Sequence, residues 1–157
     1  MSVVKVKNYF KEYGMEDRIL EFNESSATVE LAAKALNTLP ERIAKTLGFK
    51  TKEGAILIVM AGDARVSNSK YKEYFGEKAN MIKFDECENI VGHAPGGVCP
   101  FAINDNIDVY LDESLKRFKT VFPACGSSNS AIELSINELE KYSNYKAWID
   151  VVNIPEN

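Results

Sequence analysis

Histidine is almost absent from this chain. His93 is its single copy, and cysteine is scarce: Cys87, Cys99 and Cys125 are an odd number at spacings that match neither a disulfide framework nor a zinc ligand set. Neither a structural metal nor a cofactor is therefore expected. Long apolar runs are also lacking. The longest, Ala55 to Ala61, is far short of the roughly 20 residues that span a bilayer, and the lysine- and aromatic-bearing N-terminus has no signal-peptide core. A cytoplasmic protein without membrane attachment is expected. A basic excess is missing as well: 19 Lys+Arg against 23 Asp+Glu gives a net charge of −4. That disfavours autonomous tight binding to nucleic acid, whose affinity rests mostly on neutralised phosphates. Lys116, Arg117 and Lys119, like Arg65, Lys70 and Lys72, read by default as solvated surface. No G-x-G-x-x-G follows a strand and no G-x-x-x-x-G-K-[ST] occurs, so nucleotide-fold readings have no support. With 157 residues, no internal repeat and no low-complexity tract, one domain over residues 1–157 is expected.

What is present is regular punctuation. Residues 2–13 place Val3, Val6, Tyr9, Phe10 and Tyr13 at helical spacing ahead of Gly14. Arg18 to Phe22 reads as a strand, and a second helix runs from Thr28, its N-cap, to Leu36. Pro40 opens a short third helix, from which the chain runs toward an extended segment ending near Thr51. Lys52-Glu53-Gly54 is expected to turn a hairpin into the β-branched run from Ala55 to Met60, the best central-strand candidate. Ser67 to Phe75 reads as a helix stopped by Gly76, residues 79–84 as a strand, and Asp85 as the cap of a helix to Val91. Strands are expected at Ile107 to Leu111, Thr120 to Pro123, Ala131 to Leu134 and Ala147 to Val152. Asp112 is expected to N-cap a single turn, Glu113 to Arg117, and Ser135 to introduce a helix to Tyr142. This irregular alternation favours a mixed sheet with helices around it over a doubly wound parallel sheet.

One stretch stands apart: Gly92-His93-Ala94-Pro95-Gly96-Gly97-Val98-Cys99-Pro100-Phe101. Two prolines remove backbone donors and paired glycines permit dihedrals that other residues avoid, so the segment is a shaped loop. Backbone N–H groups left uncovered by glycine can converge on a carboxylate, phosphate or developing oxyanion, which makes the loop either the wall of a small-molecule site or a rigid turn between strands. A Cys99 nucleophile with His93 as base is a weak alternative, because a thiolate needs an electropositive, partly exposed setting, whereas a cysteine before Pro-Phe more often packs inward. Asp105, Asp108, Asp112 and Glu113 offer carboxylates for acid–base work, yet their spacing suits caps and turns better. On residue type alone, Lys45 is a surface lysine.

Taken in order, several segments resemble the YbaK/EbsC family. These are Ala44-Lys45-Thr46-Leu47, Ala61-Gly62-Asp63-Ala64-Arg65-Val66, the glycine loop, Val109-Tyr110-Leu111-Asp112-Glu113-Ser114-Leu115 and Ala124-Cys125-Gly126-Ser127, within a similarity from about Thr28 to Val151. That family comprises free-standing aminoacyl-tRNA deacylases and the related editing domain of some bacterial prolyl-tRNA synthetases. The resemblance implies an α+β fold: a single domain with a mixed, mostly antiparallel, barrel-like sheet surrounded by helices. It implies a pocket for the amino acid and terminal adenosine at the acceptor end of a mischarged tRNA, and ester hydrolysis in trans-editing.

By position, Lys45 matches the family's essential lysine, and Gly96 and Gly97 the backbone near the scissile ester. Asp112, Gly126 and Ser127 match pocket-lining positions, and Pro100, in the glycine loop, is a further substrate-binding candidate. His93 falls where prolyl-editing relatives often have histidine, a role in substrate selection rather than as a base. The resemblance implies hydrolysis of prolyl-tRNA carrying a small wrong amino acid such as Cys or Ala, with prolyl-tRNA synthetase as a delivering partner for so acidic a chain. The competing class is a catalytically silent tRNA, amino-acid or protein-binding module on the same fold. The chain departs from the family pattern at Ala102, where glycine is common, and at Ser127 to Ser130, which lacks a second glycine or proline.

Overall fold

In the computed structural model, which describes residues 2–155, a hairpin dictated by apolar content sits at the centre. β2, Ile43–Thr51, and β3, Gly54–Ala61, pair antiparallel from Ala44 opposite Ala61 to Thr51 opposite Gly54. Ile56 to Ala61 are all buried, as a strand covered on both faces must be. β5, Ile107–Asp112, lies parallel to β3, and β9, Ala147–Ile149, parallel to β5. On the other side β6, Thr120–Pro123, runs parallel to the start of β2, and β8, Leu134–Ser135, closes that edge antiparallel. The six strands thus stand in the order β8-β6-β2-β3-β5-β9. The α+β reading with a curled mixed sheet holds, although parallel pairs are three of the five in this sheet. Two two-stranded ribbons flank it: β1, Ile19–Glu21, with β7, Ser130–Ile132, and β4, Arg65–Val66, with β10, Val152–Asn153. Residues 1, 156 and 157 of the expected domain lie outside the described residues.

Helix ends follow the cap residues. α1, Ser2–Lys11, buries Val6 and Phe10, and its Phe10 ring meets Phe101 at 4.9 Å and Tyr142 at 5.5 Å. The helix therefore packs its aromatics on the body of the molecule. α2, Val29–Leu36, starts with the Thr28 hydroxyl accepting from Leu31 N. α3, Asn68–Phe75, is capped by Ser67 and stopped by left-handed Gly76. α5, Ile136–Ser143, opens on a reciprocal Ser135/Glu138 capping box.

Three expectations need correction. Residues 79–84 are no strand: Lys50 N donates to Asn80 O and Ile82 N to Gly48 O, and the chain then leaves β2 for a 3-10 turn, Phe84–Glu86. Asp85 lies inside that turn, so α4, Cys87–Val91, begins without a side-chain cap. The segments 131–134 and 147–152 each split between two partners, because β7 answers β1 while β8 answers β6, and β9 answers β5 while β10 answers β4. A local pattern shows extended backbone but not where it changes partner.

Ala102 adopts φ +53, in the left-handed region. A Cβ there costs on the order of 1 kcal/mol, which explains why glycine suits the position. Ala102→Gly is expected to raise the melting temperature by about 1–3 °C, partly offset by the added freedom of the unfolded chain, with circular dichroism melting as the check.

Candidate functional site

The sheet, α2 and the glycine loop enclose a cleft of about 450 Å³. Thr28, Val29 and Ala32 line it from α2 and its cap, Ile43 to Gly48 from β2, and Pro95, Gly96 and Val98 from the glycine loop; Met81, Phe84 and Cys87 line it from the segment after α3, and Phe122, Ala124 and Ala131 from β6 and beyond. Most of this lining is small or apolar.

Lys45 is the cation of the cleft. Its place on β2, opposite Met60, sends the half-buried side chain toward the turn after β3, where the ammonium donates to the carbonyls of Gly62 and Ala64. Desolvation, and to a lesser degree Arg65, hold its pKa below the ordinary lysine value, while Asp63 and Glu30 oppose the shift. An ammonium has three donors, so one remains for a ligand.

The turn that seats Lys45 is itself built tightly. A Cβ on Gly62 would stand 2.0 Å from the Pro40 carbonyl oxygen. Ala61 N donates to Ser114 Oγ, and Asp63 accepts a two-point bond from Arg117 at 2.6 and 3.1 Å, which holds its carboxyl below the usual range. Asp112 completes this support. Fully buried at the end of β5, it accepts from Ser114 N at 2.8 Å and from Val151 N at 3.0 Å. The segment Asp112 to Leu115 thus braces the Lys45 seat from behind, and Asp112 does not face the cleft.

The glycine loop is pinned at both ends. Gly92 stops α4 with φ +99, and Asn104 returns to it, its side chain donating to the carbonyls of Asn89 and Ile90. Within the loop, Gly97 N donates to Ala94 O at 3.0 Å. Gly97 therefore serves as a packing element: a Cβ there would lie 2.5 Å from Ser127 N and 2.6 Å from Gly126 C. The turn at Gly126 and Ser127 is the backing of the loop, with the Ser127 hydroxyl bonded to Asn129 and Ser130. Gly96, at φ +90, faces the cleft, and its N–H has no hydrogen-bond partner among the described residues.

Of the residues singled out in the sequence, Lys45 and Gly96 meet in the cleft, while Gly97, Gly126 and Ser127 stand directly behind it. His93 and Pro100 do not join them. His93 is fully buried, its Nε2 lies 2.7 Å from the Phe101 carbonyl, and burial lowers its pKa. The bond to a carbonyl requires the proton on Nε2. Cys99, 3.5 Å from that nitrogen, is likewise buried, and burial pushes its thiol up to about 12. Nε2, the ring nitrogen nearest the thiol, already carries the proton it gives to the Phe101 carbonyl and cannot take one from Cys99, so this pair is arranged as packed interior and not as a catalytic dyad. Pro100 lines a separate cavity of about 270 Å³ with Tyr9, Ala102 and Tyr142. Among the described residues, no three His, Cys, Asp or Glu side chains gather as a metal site requires, and no helix is long and apolar enough to cross a membrane.

Met81, Phe84 and Cys87 lie in a segment that reads locally as an ordinary strand and helix start, and exposure beside a cleft leaves no trace in local composition.

Residues 23–142 match the family model for the aminoacyl-tRNA editing domain. The uncharacterized protein YwhH of Bacillus subtilis is 50% identical over 152 residues, covering 96% of this chain and 97% of that one. The proline–tRNA ligase of Thermosipho melanesiensis is 28% identical over 152 residues, and the chain spans 26% of that ligase's length. A protein of Enterococcus faecalis named as a candidate Cys-tRNA(Pro)/Cys-tRNA(Cys) deacylase, EbsC, is 25% identical over 128 residues, covering 80% of this chain and 75% of that one. Among solved structures, a candidate trans-editing enzyme for prolyl tRNA synthetase superposes with a TM-score of 0.86 at 25% identity over 97% of both chains. With the lysine seat and the glycine loop in one cleft, and a family model matched over most of its length, this chain belongs to the aminoacyl-tRNA editing domain family.

Proposed function

We propose that the protein is an aminoacyl-tRNA deacylase that hydrolyses the ester of a mischarged tRNA in trans, with prolyl-tRNA carrying a small wrong residue such as Ala or Cys as its substrate. The observation that carries this reading is the juxtaposition of a half-buried ammonium, one donor still free, with a glycine-loop N–H that has no partner in the same cleft.

Ester hydrolysis places negative charge on the carbonyl oxygen as water adds. Backbone donors fixed before the reaction stabilise that charge by a few kcal/mol each, without a protein nucleophile. Gly96 supplies such a donor, and Gly97, locked on the Gly126–Ser127 turn, keeps it in place. Lys45 binds the terminal phosphate or ribose and orients the ester, and the ribose 2′-hydroxyl or another substrate group helps to activate the water. The alanines of the lining, Ala32, Ala44, Ala124 and Ala131, suit a small aminoacyl group. A net charge of −4 makes unaided tRNA binding weak and salt-sensitive, which favours a synthetase as the donor of substrate.

The test is a panel of Ala-, Cys-, Ser- and Pro-charged tRNAs, with and without prolyl-tRNA synthetase. Selective loss of one small wrong residue, cognate Pro-tRNA being spared, is expected. Binding of every member without turnover of any would replace the enzyme by a silent binding module.

A further inference from the structure

Phe84 is 80% exposed, more than any other large apolar side chain among the described residues, and Met81 beside it is 54% exposed. A single exposed apolar residue is ordinary. Two at the mouth of one cleft, on a segment held rigid, are not. The segment bonds to β2 through Asn80 O and Ile82 N, Ile82 packs on the core, and Glu86 is ion-paired with Lys50. The exposure of this ring therefore does not come from a loose loop.

Resting on the hydrolytic reading of the cleft, we propose that Phe84 and Met81 form the platform on which the base of the 3′-terminal nucleotide stacks, and so position the nucleoside of the aminoacyl ester. The lining combines unlike parts: Lys45 and Gly96, and the apolar Met81 and Phe84, whose segment bonds to β2 at Gly48, three residues along the strand from Lys45. A nucleoside ester has this same division, an ester and ribose hydroxyls at one end and a π-face at the other. A free amino acid leaves the apolar part empty. Lys83 and Asp85 flank Phe84 with opposite charges, so the platform is neutral and receives the base rather than a phosphate. Aromatic stacking contributes roughly 1–3 kcal/mol per base and accepts any π-face, so the platform sets affinity for the terminal nucleoside while the inner cleft reads the amino acid.

Two non-hydrolysable probes separate these parts: 3′-alanylamino-3′-deoxyadenosine, and the same ribosyl amide without its base. By calorimetry, Phe84→Ala is expected to weaken binding of the adenosine probe about tenfold and to leave the abasic probe unchanged, with a threefold loss for Met81→Ala. Phe84→Trp should restore affinity, its emission being quenched by the adenosine probe alone. On charged tRNA, Phe84→Ala should raise KM about tenfold with kcat within twofold. Equal losses on both probes, failure of the tryptophan to rescue, or a fall in kcat without a change in affinity would overturn the platform. If the wild type prefers the adenosine probe yet hydrolyses no charged tRNA, the enzymatic reading falls and the platform stands. If it hydrolyses tRNA but binds both probes alike, the platform falls alone.

Discussion

Lys45→Ala is expected to lower deacylation by roughly 10²–10³-fold while the protein still folds and melts within a few degrees of the wild type. The side chain is only half-buried and its partners are two backbone carbonyls, those of Gly62 and Ala64, so its removal leaves no buried countercharge unpaired. The loss is then one of chemistry and substrate orientation. Single-turnover rates on the charged tRNA that the wild type prefers, together with thermal melts, are the measurement. Turnover near the wild-type value in a folded variant would remove Lys45 from the mechanism.

A pH profile adds an independent check. In the proposed reaction Lys45 acts as a cation, and its pKa lies below the ordinary lysine value because burial disfavours its charge. The rate, corrected for spontaneous ester hydrolysis, should therefore fall on the alkaline side at a pH below that of an unperturbed lysine. Unfolding of this origin is not the cause. Between the folded and the higher unfolded pKa the unfolded chain binds more protons, so this group's contribution to stability rises with pH across that window.

Gly62→Ala is expected to be the most damaging single methyl in the molecule. The added Cβ would sit 2.0 Å from Pro40 O and 2.8 Å from Val29 Cγ1, and a backbone carbonyl cannot step aside as a side chain can. Overpacking of this kind costs about 3 kcal/mol, or roughly 6–12 °C in a domain of this size. Because the Gly62 carbonyl also seats Lys45, activity should fall beyond what the lost stability explains, even well below the melting temperature. Gly48→Ala is the comparison. Its Cβ would meet side-chain ends and no backbone, Ile82 Cδ1 at 2.8 Å and Leu57 Cδ2 at 3.4 Å, which can give, so a stability loss under about 1 kcal/mol is expected. Equal melting temperatures for Gly62→Ala and the wild type would show that the turn yields and that the seat is not rigid.

These residues also show what could be read in advance. Thr28, Asp112 and Ser135 all cap where their residue types indicated, since a side-chain oxygen beside an unpaired helical N–H is a local arrangement. The Lys52–Gly54 turn and the apolar run behind it fixed the central hairpin for the same reason. The ordered motifs carried the family. The location of Asp112 did not follow from them: its matched position in the family marked it as pocket-lining, but the packing of β5 against Val151 and Ser114 shows it bracing the lysine seat from behind.

By itself the sequence determined the caps at Thr28, Asp112 and Ser135, the central hairpin, the shaped glycine loop and the family, because each depends on neighbouring residues or on motifs in fixed order. The tertiary structure alone decided that Lys45 and Gly96 share one cleft and that Gly62 and Gly97 admit no Cβ. It also decided that His93 turns inward and that Phe84 stands in the open. Those outcomes rest on contacts between segments far apart in the chain, where register, burial and close backbone approach are settled by how the strands pack and not by the composition of any one stretch.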